Sequence, residues 1–381
     1  MSELSREKGV PLYEQLENLL RGQIQKGEYN PGDKIATICD LVDEHDVSKI
    51  TVRRALSDLV KEGYLRAIPG RGTFVRDPSE RQAARKDKFV GILFRTKLTE
   101  PFMAGIYHGI VEELESHGYW SLLAHSSHNA QVEADKLQEF KEKGVEGVIV
   151  NPTPVNRTSA VNDSLSEIIE SGTPTVFVDI KVPRFDVDLV TSDNCGGGYL
   201  AARHLLDLGH RRIGFIGDVD SSTVRDRLEG YKRALAEEGV SFDELLVKRS
   251  YIDFRNEKSG CRNTKELLHM ADAPTAIMTS TDSIALGVYQ ACYELGIEVP
   301  DDLSVVGYDN LPYSKSLLPP LTTIDQPKHD MGRKAGELLL DRMQGEEGES
   351  REVILDSELV ERSSCQVCPE SEKVAEGAAV G

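Results

Sequence analysis

Seven short apolar runs alternate with amphipathic stretches through most of the chain after residue 88. The runs are FVGILF, WSLLAH, EGVIVN, TVFVDI, RIGFIG, TAIMTS and LSVVGY, and the stretches between them include MAGIYHGIVEELESHG and GGYLAARHLLDLGH. Short continuous apolar runs are typical of strands buried on both faces of a parallel sheet, and helical spacing of apolar residues is typical of the helices that cover it. The alternation predicts doubly wound α/β units, and about 275 residues of it predict two such subdomains.

The first 76 residues follow a different pattern. Pro11 is suited to a helix start, and Leu12, Leu16 and Leu20 repeat after it at helical spacing. A short second helix is predicted over 39–45, and Ser48 is a good N-cap for a third helix. The segment YLRAIPGRGTFV then predicts a two-stranded hairpin with a tight glycine turn. Helix, short helix, capped helix and hairpin in this order predict a winged helix-turn-helix.

The third helix carries a candidate DNA-reading surface. Its apolar stripe leaves Ile50 pointing away from the core, with Lys49 and Arg53 at the stripe's edges. Lys and Arg at a helix N-terminus can bond phosphates or guanine edges in the major groove, and an exposed Ile can meet a thymine methyl. Arg71, between two glycines at the hairpin tip, can reach an adjacent minor groove.

The charge distribution supports this position for a DNA contact. The whole chain has a formal net charge of −19, yet residues 45–88 hold 11 Lys and Arg against 6 Asp and Glu. Only this segment favours a polyanion, because the rest of the chain repels one. On charge alone a solvated helix face explains the segment equally well.

The N-terminal motifs resemble a known family. The segments PLYEQL, IQKGEYNPGDKI and VSKITVRRALSDLVKEGYLRAIPGRGTFV, within about residues 10–76, look like the GntR family of bacterial transcription regulators. Cys39 stands where the family usually has an arginine, and Lys49 stands where arginine is commoner, so a bidentate contact there becomes a point charge. The resemblance implies DNA contacts at Ser48, Lys49, Ile50, Thr51, Arg53, Gly70 and Arg71.

Polar residues follow several of the predicted strands. In parallel sheets ligands bind beyond the carboxyl ends of the strands, where several acids and one arginine can bond a polyhydroxylated ligand. Each acid taken alone is more often a helix cap or a turn residue, and the case for a site rests on their occurrence at successive strand ends. The residues at these positions are Asp179, Asp218, Arg227, Thr281, Asp282 and Asp309.

The C-terminal segments resemble a second family. EPFMAGIYHGI, HLLDLGHRRIGFIGD, PTAIMTSTDSIALGVYQACYELGIEVPDDLSVVGYDN and LPPLTTIDQP closely resemble the LacI/GalR effector domain, which shares its fold with periplasmic sugar-binding proteins. The resemblance spans about 89–363 and places a further aromatic contact near Phe254 or Arg255. A GntR-type head joined to a LacI-type body resembles the arabinose-repressor group. The implied effector contacts are Phe102, Asp179, Arg227, Thr281, Asp282, Asp309 and Gln326.

Several classes of protein are disfavoured. No run of about 18 apolar residues suggests a membrane span, and the N-terminus lacks an apolar signal-peptide core, so we expect a cytoplasmic protein that joins the nucleoid when bound to its operator. The six cysteines suit a reduced compartment, and the lone pair Cys365 and Cys368 is weak support for metal or redox chemistry. His204 and His210 lack a metal-spaced partner, and no phosphate loop or nucleophile motif is present. We therefore expect no cofactor and no metal.

Together these observations predict a homodimeric transcription regulator with two DNA-binding heads on a pseudo-palindromic operator and a sugar-like effector between two subdomains. We expect a repressor of carbohydrate-utilisation genes that the effector releases from DNA. The alternatives are a sugar-binding protein without a regulatory role and a sugar-modifying enzyme that uses Asp179, Asp309 and Arg227. The predicted segments are a DNA-binding domain (1–76), a linker (77–88), an effector and dimerisation domain (89–364, divided into 89–189 with 322–345 and 190–321 with 346–364) and a disordered tail (365–381).

Overall fold

The computed structural model describes residues 10–68, 71–77, 88–153, 159–217, 221–249 and 256–368. The chain divides into two compact units, Met1–Asp87 and Lys88–Gly381. Most of the linker predicted at 77–88 lies outside the described residues. No helix in the described part of the chain is long and apolar enough to cross a membrane.

The first unit is the predicted winged helix-turn-helix. Its elements are α1 (Leu12–Gln25), α2 (Ile38–His45), α3 (Lys49–Lys61), β1 (Leu65–Ile68) and β2 (Gly72–Val75). The two strands are antiparallel. Thr37 and Asp40 form a capping box that starts α2, and the Ser48 hydroxyl accepts a hydrogen bond from the Thr51 amide at the start of α3. Leu16, Leu20 and Leu59 are fully buried in the core that α1 and α3 share.

The second unit begins with a six-stranded parallel sheet. Helices α4 and α11 cover one face of this sheet, and α5 and α6 cover the other. Its strands, in spatial order, are β13 (Glu352–Leu355), β7 (Asp188–Ser192), β6 (Thr175–Val178), β5 (Gly147–Asn151), β3 (Phe89–Phe94) and β4 (Trp120–His125). The helices are α4 (Pro101–Ser116), α5 (Ala130–Glu142), α6 (Ser159–Glu170) and α11 (Lys328–Met343).

A second six-stranded sheet has the same layered arrangement. Helices α7 and α8 cover one face and α9 and α10 the other, and all pairings are parallel except that of β14 with β12. Its strands, in spatial order, are β14 (Glu358–Val360), β12 (Thr322–Asp325), β11 (Ser304–Tyr308), β10 (Ala276–Thr279), β8 (Ile213–Gly217) and β9 (Val247–Arg249). The helices are α7 (Asn194–Asp207), α8 (Ser222–Glu237), α9 (Asn256–Leu268) and α10 (Asp282–Leu295). Two doubly wound subdomains are thus confirmed.

The chain crosses between the two sheets three times: between β7 and α7, between β12 and α11, and between β13 and β14. The predicted subdomain boundaries are wrong at these points. Segment 322–325 pairs with β11 in the second sheet, and 352–355 pairs with β7 in the first. Residues 190–192 likewise belong to the first sheet. Residues 352–355 pair with a segment more than 150 residues earlier in the chain, so the local pattern could not assign their sheet.

The predicted start of the tail also needs correction. The Cys368 amide donates to the Leu208 carbonyl at 2.8 Å, and the Gln366 amide donates to the Ser304 hydroxyl at 3.1 Å. Cys368 is buried and all six cysteines are free thiols. Residues 365–368 are therefore part of the folded unit, and the rest of the predicted tail (369–381) lies outside the described residues.

Candidate DNA-binding surface and effector cavity

Helix α3 separates a buried stripe from an exposed face. Val52, Ala55 and Leu59 have no exposed surface. Lys49 and Arg53 are exposed on the other side, and Ile50 is 79% exposed, which is unusual for an apolar residue of this size. The structure thus brings the predicted reading residues together on one open surface at the helix N-terminus.

The first turn of α3 also presents two hydroxyl groups. The Ser48 and Thr51 hydroxyls lie 2.8 Å apart, and Ser48 accepts from the Thr51 amide at 3.1 Å. The remaining amides of this first turn have no partner within the helix, so the helix end favours an anion. Arg54 is held differently, because its guanidinium lies 3.8 Å from the centre of the Tyr13 ring and so ties α3 to α1.

The hairpin presents one further cation. Arg71 is exposed, and its amide donates to the Ile68 carbonyl at 3.0 Å to close the turn. Gly72 follows with a φ of 118°, a conformation that favours glycine. Gly70, also predicted to contact DNA, lies outside the described residues.

A cavity of about 620 Å³ lies between the two subdomains at the carboxyl ends of their strands. Five of the seven predicted effector residues line it. They are Phe102 and Asp179 from the first subdomain and Arg227, Thr281 and Asp309 from the second. The Thr281 hydroxyl also caps α10, accepting from the Ile284 amide at 3.3 Å.

Asp179 is the acidic group on the first wall. Its carboxylate accepts a hydrogen bond from Nδ2 of the Asn151 side chain at 3.3 Å and lies 3.8 Å from Nη2 of Arg95. Burial raises the pKa of Asp179, and the positive charges of Arg95 and Arg227 oppose that rise. Two other guanidinium nitrogens of Arg95, Nε and Nη1, are buried without a hydrogen-bond partner in the described part of the chain.

Arg227 and Asp309 form the second wall. The Nε of Arg227 donates to Oδ1 of Asn194 at 2.9 Å, and Nη1 donates to the Ser280 carbonyl. The guanidinium lies 3.7 Å from the centre of the Tyr308 ring, and Nη1 is 3.8 Å from Oδ1 of Asp309. Burial raises the pKa of Asp309 to about 8, against the opposing effect of Arg227. The arginine is thus fixed from three sides beside an acid whose charge burial disfavours.

Two predicted effector residues do not line the cavity. Gln326 lies at the second crossover, where its Nε2 donates to Asp309 and its Oε1 accepts from the Ser192 hydroxyl, both at 2.6 Å. Asp282 is fully buried and accepts from the Leu311 amide at 2.8 Å and the Thr323 hydroxyl at 2.7 Å. Gln326 therefore supports the cavity residue Asp309 through a hydrogen bond, and Asp282 links segments within the second subdomain.

Several residues that line the cavity were not predicted from the sequence. Arg95 and Lys97 line the cavity just after β3, at a strand end, but the predicted site was built on the acids at other strand ends and on Arg227. Lys258 and Ser280 line the second wall. The predicted positions Asp218, Phe254 and Arg255 lie outside the described residues.

The fold accounts for His210, one of the two histidines that lack a metal-spaced partner in the sequence. His210 is buried, with its ring nitrogens within 2.9 Å of the Thr275 hydroxyl and 3.0 Å of the Ser304 hydroxyl. Burial lowers the pKa of both His204 and His210. These hydrogen bonds give His210 a structural role within the second subdomain.

Two family models match the chain. One describes bacterial regulatory proteins of the gntR family and matches residues 12–75. The other describes a periplasmic binding protein-like domain and matches residues 202–365. The two matches fall on separate compact units, as the two resemblances predict.

Relatives and solved structures agree with both models. The ribose operon repressor of Haemophilus influenzae is 30% identical over 87% of this chain and 98% of its own length. The arabinose metabolism transcriptional repressor of Geobacillus stearothermophilus is 30% identical over 94% of this chain and 99% of its own. A LacI family regulator from Enterococcus faecium, solved with bound ribose, is 32% identical over 74% of this chain and all of its own, with a TM-score of 0.64.

These relatives are DNA-binding repressors, which confirms the expectation of a regulator and contradicts the enzyme alternative. The second relative is covered almost from end to end, through both the DNA-binding and the effector-binding unit. The chain therefore belongs to the bacterial transcriptional repressors in which a GntR-type winged helix-turn-helix is joined to a LacI/GalR-type effector domain, the architecture of the arabinose repressors.

Proposed function

We propose that this protein represses genes of carbohydrate utilisation and that a small sugar bound in the cavity releases it from its operator. The proposal rests on one observation: Asp179 lies on one wall of the cavity, and Asp309 and Arg227 lie on the opposite wall. Carboxylates and a guanidinium bond the hydroxyl groups of a sugar bidentately. A repressor relative of similar domain order is named for arabinose, and a LacI family neighbour holds ribose.

On the DNA side, α3 enters the major groove end-on. Arg53 and Lys49 contact phosphates or base edges, Ile50 contacts a thymine methyl, and the Ser48 and Thr51 hydroxyls face a phosphate. Arg71 reaches the neighbouring minor groove. As a homodimer, the protein places two such heads on a pseudo-palindromic operator in the nucleoid DNA of the cytoplasm.

Effector control works through the three crossovers. A sugar that contacts both walls favours the closed arrangement of the subdomains and shifts the population of dimers whose heads fit the two half-sites. A coupling free energy of about 1–3 kcal/mol changes operator affinity by roughly 5- to 150-fold. By reciprocity, operator DNA weakens sugar binding by the same factor.

The test combines an effector screen with two variants. Thermal unfolding is measured with pentoses, hexoses, sugar alcohols and sugar phosphates, because a ligand of the folded state raises the melting temperature. One sugar should give a selective rise that Arg227→Ala abolishes, while this variant still binds DNA. No rise with any sugar would overturn the proposed ligand class.

For the DNA surface, Arg53→Ala should abolish operator binding and leave sugar binding intact. Lys26→Ala is the matched control, since it also removes one exposed positive charge from the same unit, at the far end of α1. Equal operator affinity of the Arg53 variant and the wild type would show that α3 is not the recognition helix.

A further inference from the structure

Three side chains that bind metals meet on the surface of the first subdomain. His108 and Glu112 lie one turn apart on α4, and His329 lies on the first turn of α11. One ligand atom from each lies within 4.8 Å of the others, and all three residues are exposed. His329 and Glu112 are already 2.8 Å apart at Nε2 and Oε2, and the two imidazole rings have centroids 5.4 Å apart.

A close crossing of two helices holds these side chains together. A Cβ atom on Gly109 would lie 2.1 Å from the His329 carbonyl oxygen. One on Gly332 would lie 2.0 Å from the Ile106 carbonyl oxygen. Both glycines therefore allow backbone contact that no other residue allows. His108 and His329 lie on either side of this contact, so the rigid backbone sets the distance between them. Long flexible side chains, in contrast, often meet on a surface without any such constraint.

The donor set suits zinc. Two imidazole nitrogens and one carboxylate oxygen are the ligands of many three-ligand zinc sites, with a water in the fourth position. Zinc–ligand bonds of about 2.0–2.1 Å place tetrahedral donor atoms roughly 3.3 Å apart, which small side-chain rotations reach from the present separations. We propose that His108, Glu112 and His329 form a zinc-binding site that joins α4 to α11.

The alternative is an ordinary hydrogen bond between a histidine and a glutamate. The same helix supplies that case for comparison, because His117 lies 3.4 Å from Glu113 with the same four-residue spacing. No third metal-binding side chain joins this pair in the described part of the chain. The two histidine–glutamate pairs of α4 therefore differ in the presence of His329, which is the feature that makes a site.

Zinc at this position links α4 and α11, whose N-terminal ends lie beside the cavity and the second crossover. Helix α11 begins directly after the second crossover, and Phe102 and Met103 in the first turn of α4 line the cavity. A metal that binds the folded state stabilises it by mass action, so the first subdomain gains stability as the free zinc concentration rises above the dissociation constant. The site needs no effector and stands independently of the proposed function.

The experiment is a zinc titration of the full chain after treatment with a chelator, followed by calorimetry and thermal unfolding. We expect saturable binding that raises the melting temperature. His108→Gln and His329→Gln should each weaken this binding by about 10-fold or more, since even the loss of a partner of a ligand costs that much. The comparison isolates this site from zinc bound to exposed Cys39.

His117→Gln is the matched control and should bind zinc like the wild type. All three replaced side chains are surface groups, and equal melting temperatures without metal verify that each variant folds. Cobalt in place of zinc should give visible absorption bands in the wild type and the control only. Equal zinc affinity of all four proteins, or no saturable binding by the wild type, would overturn the proposal.

Discussion

Asp309 gives the sharpest test of the electrostatics of the cavity. The residue is 6% exposed, and its carboxyl group lies 3.8 Å from a guanidinium nitrogen of Arg227 and accepts a hydrogen bond from Gln326. The substitution Asp309→Asn keeps the size and the acceptor oxygen and removes only the ionisable group. Asparagine also tolerates the backbone φ of 106° found at this position.

The magnitude follows from the raised pKa. Burial moves the pKa of Asp309 from 3.8 to about 8. An acid whose pKa is higher in the folded state binds more protons there, so its contribution favours folding at low pH and is lost as pH rises toward 8. Between pH 5 and pH 7 the free energy of unfolding of the wild type should fall by roughly 2–3 kcal/mol through this group alone.

The assay is urea unfolding at pH 5, 6 and 7, followed by circular dichroism. Burial also raises the pKa values of Asp179 and Glu133, but these groups are present in both proteins and cancel in the difference. The wild type should lose roughly 2–3 kcal/mol more than Asp309→Asn over this range. Parallel pH profiles would refute the reasoning, because they would mean that Arg227 keeps the carboxylate ionised throughout.

Three further variants test other parts of the structure. Gln326→Met removes both buried hydrogen bonds of that side chain, so it should lower the free energy of unfolding by about 2–4 kcal/mol and weaken sugar binding, as measured by urea unfolding and calorimetry. Burial alone would raise the pKa of Asp188, but hydrogen bonds from Arg342 and Arg351 lower it overall. Asp188→Asn should therefore cost about 3 kcal/mol at pH 7, and urea unfolding should show this loss shrinking as pH falls through the lowered pKa. Arg71→Ala should weaken operator binding and reduce the slope of log affinity against log salt by about 1, as measured by anisotropy titrations; an unchanged affinity and slope would contradict a contact between Arg71 and the DNA.

The fold could be predicted as far as local pattern reaches. All seven apolar runs are strands, and six of them are buried between the helices of their own subdomain. The run WSLLAH forms the edge strand β4, where Trp120 and Leu123 are exposed, so the prediction of burial on both faces is wrong there. The five other strands of the second unit were not predicted. Among them, 247–249 and 358–360 are three-residue edge strands, which need few apolar residues and leave no run to detect. The sheet that holds 352–355 depends on pairing with a segment more than 150 residues away.

The acids and the arginine that line the cavity could be predicted from the sequence, but the residues that hold them in place could not. Asp179 and Asp309 stand directly after buried strands, where the edge of a parallel sheet collects polar groups. Asp282 also follows a strand closely, yet its side chain turns inward to three donors of its own subdomain. The direction of a side chain at a strand end depends on which donors surround it in three dimensions. Spacing along the chain does not contain that information.

The same limit applies to the surface cluster on α4 and α11. His108 and Glu112 have the four-residue spacing of a helix face, but such pairs are common and indicate little by themselves. The third side chain, His329, is 217 residues from Glu112. It becomes a neighbour only because Gly109 and Gly332 let two helices touch.

The contacts behind the cavity explain how a bound sugar can act on the crossovers. Arg227 donates to Asn194, the first residue of α7 after the first crossover. Asp309 accepts from Gln326 at the second crossover, and Gln326 in turn accepts from Ser192 at the first. Arg227 and Asp309 are therefore each one hydrogen bond from a segment that joins the subdomains. A ligand can shift a conformational equilibrium only if it binds the two states with different affinity. Arg227 and Asp309 are bonded to the segments that join the subdomains, so a difference in sugar affinity between the two states arises through these residues.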